Sequence, residues 1–173
     1  MVRKIAIVGP ESTGKSTISM QLARHYQTRW VPEYARYYCA ALVEPCTVQD
    51  EINMFHGQLA LEDACLAVAD QPLIICDTTI LTVKIWCDAM LGATPVLVLD
   101  TLAQRPYDHY LLMDIDLPWE DDVLRDFPHQ REYFMDVWHR ELQSLQASYT
   151  VINGKEDRLQ NAIAAIDTFM EKQ

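Results

Sequence analysis

The run Gly9-Pro10-Glu11-Ser12-Thr13-Gly14-Lys15-Ser16 fits the spacing G-x-x-x-x-G-K-[ST] at every position, and Thr17 follows it. Gly9 and Gly14 allow backbone conformations closed to other residues, so that successive N–H groups converge on a phosphate. Lys15 brings a mobile ammonium to the β- and γ-phosphates, and the Ser16 hydroxyl is a ligand for Mg²⁺. Residues Glu11, Ser12, Thr13 and Thr17 complete a cradle for a nucleotide's phosphates. A helix beginning near Lys15 would add the positive end of its dipole.

Two further places end an apolar run in a carboxylate. Leu73-Ile74-Ile75-Cys76 leads into Asp77, which reads as a magnesium- or substrate-facing acid at the end of a strand, or as a cap on the helix that follows. Trp30-Val31-Pro32 leads into Glu33-Tyr34-Ala35-Arg36. There Glu33 is a candidate base for an attacking hydroxyl, or an ordinary helix N-terminal acid. Arg36 is a candidate phosphate ligand, and Tyr34, Tyr37 and Trp30 are candidates to stack on a flat ring. Which of Glu33 and Asp77 is the base is left open by the sequence. Arg125 and Arg131 are the bases of an acid-rich segment, and each is either a cation for the transferring phosphoryl group or a surface ion-pair partner.

These residues need a scaffold that gathers strand ends. Strand-like runs occur at 4–8, 28–31, 73–76, 109–113 and 149–152, separated by segments of helical periodicity, the pattern of an α/β fold on a parallel sheet. Thr47 and Asp50 have capping-box spacing ahead of Val48, Ile52, Phe55 and Leu59. A helix is expected over 78–91, and apolar stripes over 134–145 and 159–169 mark two more. Residues 114–131 break the alternation with Asp114, Asp116, Glu120, Asp121, Asp122 and Asp126 around Pro118 and Trp119, and read as a lid. No repeat or linker divides the 173 residues, so a single domain over 1–173 is expected.

Composition narrows the partners. The 14 Lys and Arg against 25 Asp and Glu give a formal charge of -11, which disfavours a nucleic-acid or anionic-membrane partner. Phosphate must be held at one local site, against the field of the whole chain. Five cysteines without C-x-x-C spacing read as reduced thiols of a cytoplasmic protein. No apolar run approaches the roughly 20 residues of a membrane span.

The motifs G-P-E-S-T-G-K-S-T, P-E-Y-A-R, I-C-D-T and D-L-P-W-E-D-D-x-L-R together resemble the ribosylnicotinamide kinase module of NadR-type bacterial NAD-biosynthesis proteins. The resemblance runs from about Lys4 to Ile166. It implies a three-layer P-loop kinase fold, a five-stranded parallel sheet of order 2-3-1-4-5, and ATP- and Mg²⁺-dependent phosphorylation of the 5′-hydroxyl of nicotinamide riboside. By the same resemblance, residues 9–17 would hold ATP and Mg²⁺, Glu33 to Arg36 and Asp77 would face the riboside, and Arg125 and Arg131 would close from the lid. Family proteins carry an adenylyltransferase domain ahead of this module, so a stand-alone kinase is expected here. Another nucleoside or nucleotide kinase, or a slow nucleotide-dependent regulator, are the alternative readings of the residues.

Overall fold

The computed structural model describes residues 1–122 and 125–172. Its centre is β1 (Arg3–Val8), paired in parallel with β3 (Leu73–Asp77) on one side and β4 (His109–Met113) on the other. β2 (Trp30–Val31) and β5 (Tyr149–Ile152) flank them, giving the expected order β2-β3-β1-β4-β5. Side chains alternate across each strand. Ile5, Ile7, Ile75, Leu111 and Met113 pack under α1 (Lys15–His25) and α7 (Arg158–Glu171). Ala6, Val8, Ile74, Cys76, Tyr110 and Leu112 face the other layer. That layer holds α3 (Val48–Ala67), α4 (Ile80–Trp86), α5 (Val96–Gln104) and α6 (Arg131–Ser144). Because both sheet faces are covered, the central strands read as continuous apolar runs, as a buried parallel sheet requires.

The expected strand over 28–31 shortens to two residues. The Thr28 hydroxyl turns inward to donate to the Leu73 carbonyl, and the ladder starts from the Arg29 carbonyl, which accepts from Ile75 N–H at 3.0 Å. The helix expected over 78–91 begins late, because Thr78 takes a left-handed φ of 66° directly after Asp77. It then runs through α4 into a π-helical turn, Cys87–Leu91, a backbone irregularity often found beside functional sites. The short α2 (Tyr34–Cys39) starts directly after Glu33, where a helix N-terminal acid was one reading, whereas α5 has no counterpart in the sequence pattern. At α3 the capping box is formed, with Asp50 N–H donating to Thr47 Oγ1 at 3.3 Å and Thr47 N–H donating to Asp50 at 2.8 Å.

Candidate nucleotide and acceptor site

The cradle forms where β1 hands over to α1. Gly9 has φ 138°, and a Cβ there would stand 2.8 Å from the Met113 carbonyl, so only glycine lets the loop cross over β4. Gly14, at φ 76°, caps α1. The loop lines a cavity of about 740 Å³ that also takes in Glu33, Arg36, Trp86, Arg125 and Arg158. Lys15 donates to the Pro10 carbonyl at 2.7 Å. Burial lowers its pKa, and the charges of Glu33, Asp77 and Glu11 partly restore it. A desolvated ammonium at the head of the cradle makes a strong charge-assisted bond to a phosphate oxygen, and the neighbouring acids favour its protonated form.

Asp77 is 1% exposed. Its carboxyl is pushed up to about 6, first by burial and then by the neighbouring charge of Glu33, with Ser16 and Lys15 acting in the opposite direction. One carboxylate oxygen, Oδ1, is buried with no hydrogen-bond partner. A buried orphan acceptor beside the Ser16 hydroxyl fits a hard cation, which takes one hydroxyl, one carboxylate, water and phosphate oxygens. No cluster of three or more His, Cys, Asp or Glu suited to a metal occurs among the described residues, so a dedicated protein cage is not what the site offers.

The lid segment rests on the cradle through the loop's own side chains. Glu11 accepts from Asp126 N–H at 3.1 Å and Phe127 N–H at 3.0 Å, while Ser12 Oγ accepts from Glu120 N–H at 2.8 Å. Burial raises the Glu11 carboxyl, and those two backbone N–H groups lower it again. Two residues expected to touch ATP therefore spend their side chains on the lid. Arg125 lines the cavity and donates to the Glu120 carbonyl. Arg131 starts α6 and is bound by the carbonyls of Leu117 at 2.9 Å and Ser12 at 3.4 Å, so it braces lid against loop. It is not among the residues lining the cavity. Val123 and Leu124, within the expected lid and its signature, lie outside the described residues.

At the end of β2, Glu33 lines both the large cavity and a smaller one of about 130 Å³ beside it. It lies 3.9 Å from Arg36, which also contacts Asp122 of the lid at 3.2 Å. The three candidate stacking rings are placed elsewhere. Tyr34 packs on α3, where a Cβ on Gly57 would fall 2.1 Å from its ring. Tyr37 is 63% exposed, and Trp30 donates to Ser19 Oγ at 3.1 Å against α1. The aromatic that does line both cavities is Trp86, at the junction of α4 and the π-helical turn.

Residues 4–158 match a family described as an AAA domain. The chain belongs to that family. Over 130 residues this AAA-domain chain is 30% identical to the trifunctional NAD biosynthesis/regulator protein NadR of Salmonella typhimurium, and to the same extent to that of Escherichia coli. The alignments take in 72% of this chain and 31% of each relative, so the chain spans about a third of their length. Among solved structures, a NadR protein in complex with NR is similar at a TM-score of 0.82 and 20% identity, covering 97% of this chain and 50% of that one. Deoxyadenosine kinase from M. mycoides gives 0.64 at 14% identity over 95% and 99% of the two chains. Thymidylate kinase from Ehrlichia chaffeensis gives 0.64 at 14% over 99% of both. The fold is thus that of the P-loop kinases.

Arg158 is a site residue that the sequence did not announce. It is 3% exposed, lines the large cavity, pairs with Asp116, and donates to the carbonyls of Thr13 at 3.2 Å and Asp114 at 3.4 Å. It joins the start of α7 to the cradle and the root of the lid. No local pattern marks it, because its partners lie more than 40 residues away. Lys155 and Glu156, in and beside the loop after β5, also line the cavity.

No helix among the described residues is long and apolar enough to cross a membrane.

Proposed function

We propose that the chain is an ATP-dependent kinase that phosphorylates the 5′-hydroxyl of nicotinamide riboside, giving nicotinamide mononucleotide. The observation that carries this reading is Glu33, a carboxylate shared by a phosphate-cradling cavity and a second, acid-lined cavity next to it. A sensor that only bound nucleotide would have no use for an acceptor cavity beside its γ-phosphate position. The likeness to NadR, one structure of which holds NR, supports the choice of acceptor.

The residues divide the work as follows. Residues 9–17 cradle the triphosphate with backbone N–H groups, and Lys15 neutralises its outer oxygens. Glu33 accepts the proton of the 5′-hydroxyl as that oxygen bonds to the γ-phosphorus and the bond from γ-phosphorus to the bridging oxygen of ADP breaks. Arg125, from the lid, faces the charge that develops on the transferring group. Ser16 and Asp77 would hold Mg²⁺, which when bound supplies charge neutralisation across the β- and γ-phosphates. Arg36, Arg131 and Arg158 hold Glu33, the lid and the cradle in register.

Purified protein with Mg·ATP should turn over nicotinamide riboside far better than thymidine, uridine or deoxyadenosine. Equal or better turnover of an ordinary nucleoside would move the protein to the nucleoside kinases, and ATP binding without turnover of any acceptor would make it a regulator. Glu33→Gln should lower kcat by about 10²–10⁴-fold with the KM for ATP unchanged. Near-normal turnover in that variant would remove Glu33 from the role of base.

A further inference from the structure

The smaller cavity has an unusual charge balance. Four carboxylates line it: Glu11, Glu33, Glu51 and Asp126. Among the described residues, Arg36 is the one cation on its lining, and it is already engaged by Glu33 and Asp122. Glu11 is likewise occupied, by two lid N–H groups.

Glu51 differs from these. It sits in the first turn of α3, is 6% exposed, and its carboxylate has as its hydrogen-bond partner among the described residues the Cys46 thiol, at 3.5 Å. Among the described residues no cation forms an ion pair with it, Arg36 being engaged by Glu33 and Asp122. Burial raises its pKa, and the neighbouring Asp50 adds to that. Retaining a carboxylate in such a place opposes folding unless something compensates it. The other walls include Met54, Val83, Trp86 and Met90, apolar and polarisable, with one flat indole face, beside the polar Gln58, Thr78, Thr79 and Thr82. A planar, positively charged ring supplies what this cavity lacks: a cation for Glu51, and surface for Trp86 and the two methionines.

We infer that Glu51 is the specificity-determining residue by which the acceptor cavity selects a cationic ring over a neutral one. This rests on the acceptor being nicotinamide riboside, whose pyridinium ring carries the charge. Glu33 then serves the hydroxyl end of the acceptor and Glu51 the ring end. Neutral nucleosides are refused because they leave the Glu51 carboxylate desolvated and uncompensated.

The test compares two acceptors of nearly the same shape, nicotinamide riboside and its uncharged 1,4-dihydro form. Wild type should favour the charged acceptor in kcat/KM. Glu51→Gln should reduce that preference at least tenfold, by raising the KM for nicotinamide riboside, with turnover of the dihydro form equal or improved and the KM for ATP unchanged. Glu51→Met should do the same, and both variants should melt at or above the wild-type temperature, because a buried carboxylate held by a thiol hydrogen bond and not by a cation has been removed. A preference within twofold of wild type in folded variants overturns the inference and leaves the kinase reading standing. If both variants fail to fold, Glu51 belongs to the scaffold and the inference also falls. If wild type itself prefers the neutral acceptor, the choice of nicotinamide riboside fails first and the inference with it.

Discussion

Two buried carboxylates at opposite ends of the sheet are treated in opposite ways. Glu62, 0% exposed, lies where the strands begin. It meets Lys4 at 3.1 Å, Arg105 at 3.1 Å and the Tyr107 hydroxyl at 2.6 Å, and Arg105 is further tied to Asp63. Asp77, 1% exposed, lies where β3 ends, with Oδ1 unpartnered and its proton affinity raised. The first is finished by folding; the second is left for a ligand to finish. In an open parallel sheet the strand C-termini are the binding edge, and here the uncompensated acids Asp77 and Glu51 collect on that side while the opposite end is neutralised within the chain.

Asp77→Asn should sharpen this difference most. Turnover should fall by about 10³-fold or more, because the proposed magnesium ligand is weakened. Stability should move the other way, and with a definite pH dependence. The ordinary value is 3.8 and the folded value about 6, so between those pH values the folded chain holds a proton that the unfolded chain has released. This group therefore favours the folded state below pH 3.8, and that contribution is lost as pH rises through 6. At pH 8 the ligand-free wild type carries the full cost of the charge, about 3 kcal/mol, and the variant does not. Denaturant unfolding at pH 8 and at pH 4 checks it: the variant should be more stable at pH 8 and indistinguishable at pH 4. A variant less stable than wild type at pH 8 would show that Asp77 is satisfied within the fold after all.

Breaking the other end should have the converse profile. Glu62→Ala leaves Lys4 without its ion-pair partner, leaves Arg105 to Asp63, and removes the acceptor of the Tyr107 hydroxyl. A loss of about 3 kcal/mol in unfolding free energy is expected. In the fraction that remains folded, kcat and both KM values should stay within about twofold of wild type, since no atom of this network lines either cavity. A selective loss of kcat with stability intact would mean that the two ends are coupled through the sheet.

The same contrast explains what could be read in the sequence. The strands of the buried sheet announce themselves, because apolar runs such as Ile5 to Val8 and Leu73 to Cys76 leave few other assignments. The cradle does too, since the spacing from Gly9 to Ser16 is a local backbone requirement. α5 was not legible: Val96-Leu97-Val98-Leu99 is rich in β-formers, and helix wins only because Val98 and Leu102 are buried by α4 and the sheet. The proposed acceptor cavity was legible only in part. Glu33 follows a strand and can be found there. Glu51, Trp86 and Arg158 come from three different helices and meet at the site through the topology, with no spacing to betray them. Tyr34 misled because an aromatic beside a strand end suggests stacking, whereas the bare Gly57 on α3 draws its ring away from the cavity.

The smallest effect should come from the helix that joins the two ends, since α3 presents Glu51 near its start and Glu62 near its finish. Thr47→Ala removes the hydroxyl that caps Asp50 N–H and leaves the Glu62 network untouched. The stability lost should be about 1 kcal/mol, as for other N-cap deletions. Where the first turn frays, Glu51 is the group set loose, so the KM for nicotinamide riboside should rise several-fold while the KM for ATP does not move. If both KM values rise together, the cap steadies the whole site instead. If neither changes while stability falls, Glu51 is positioned by the cavity walls and not by its own helix.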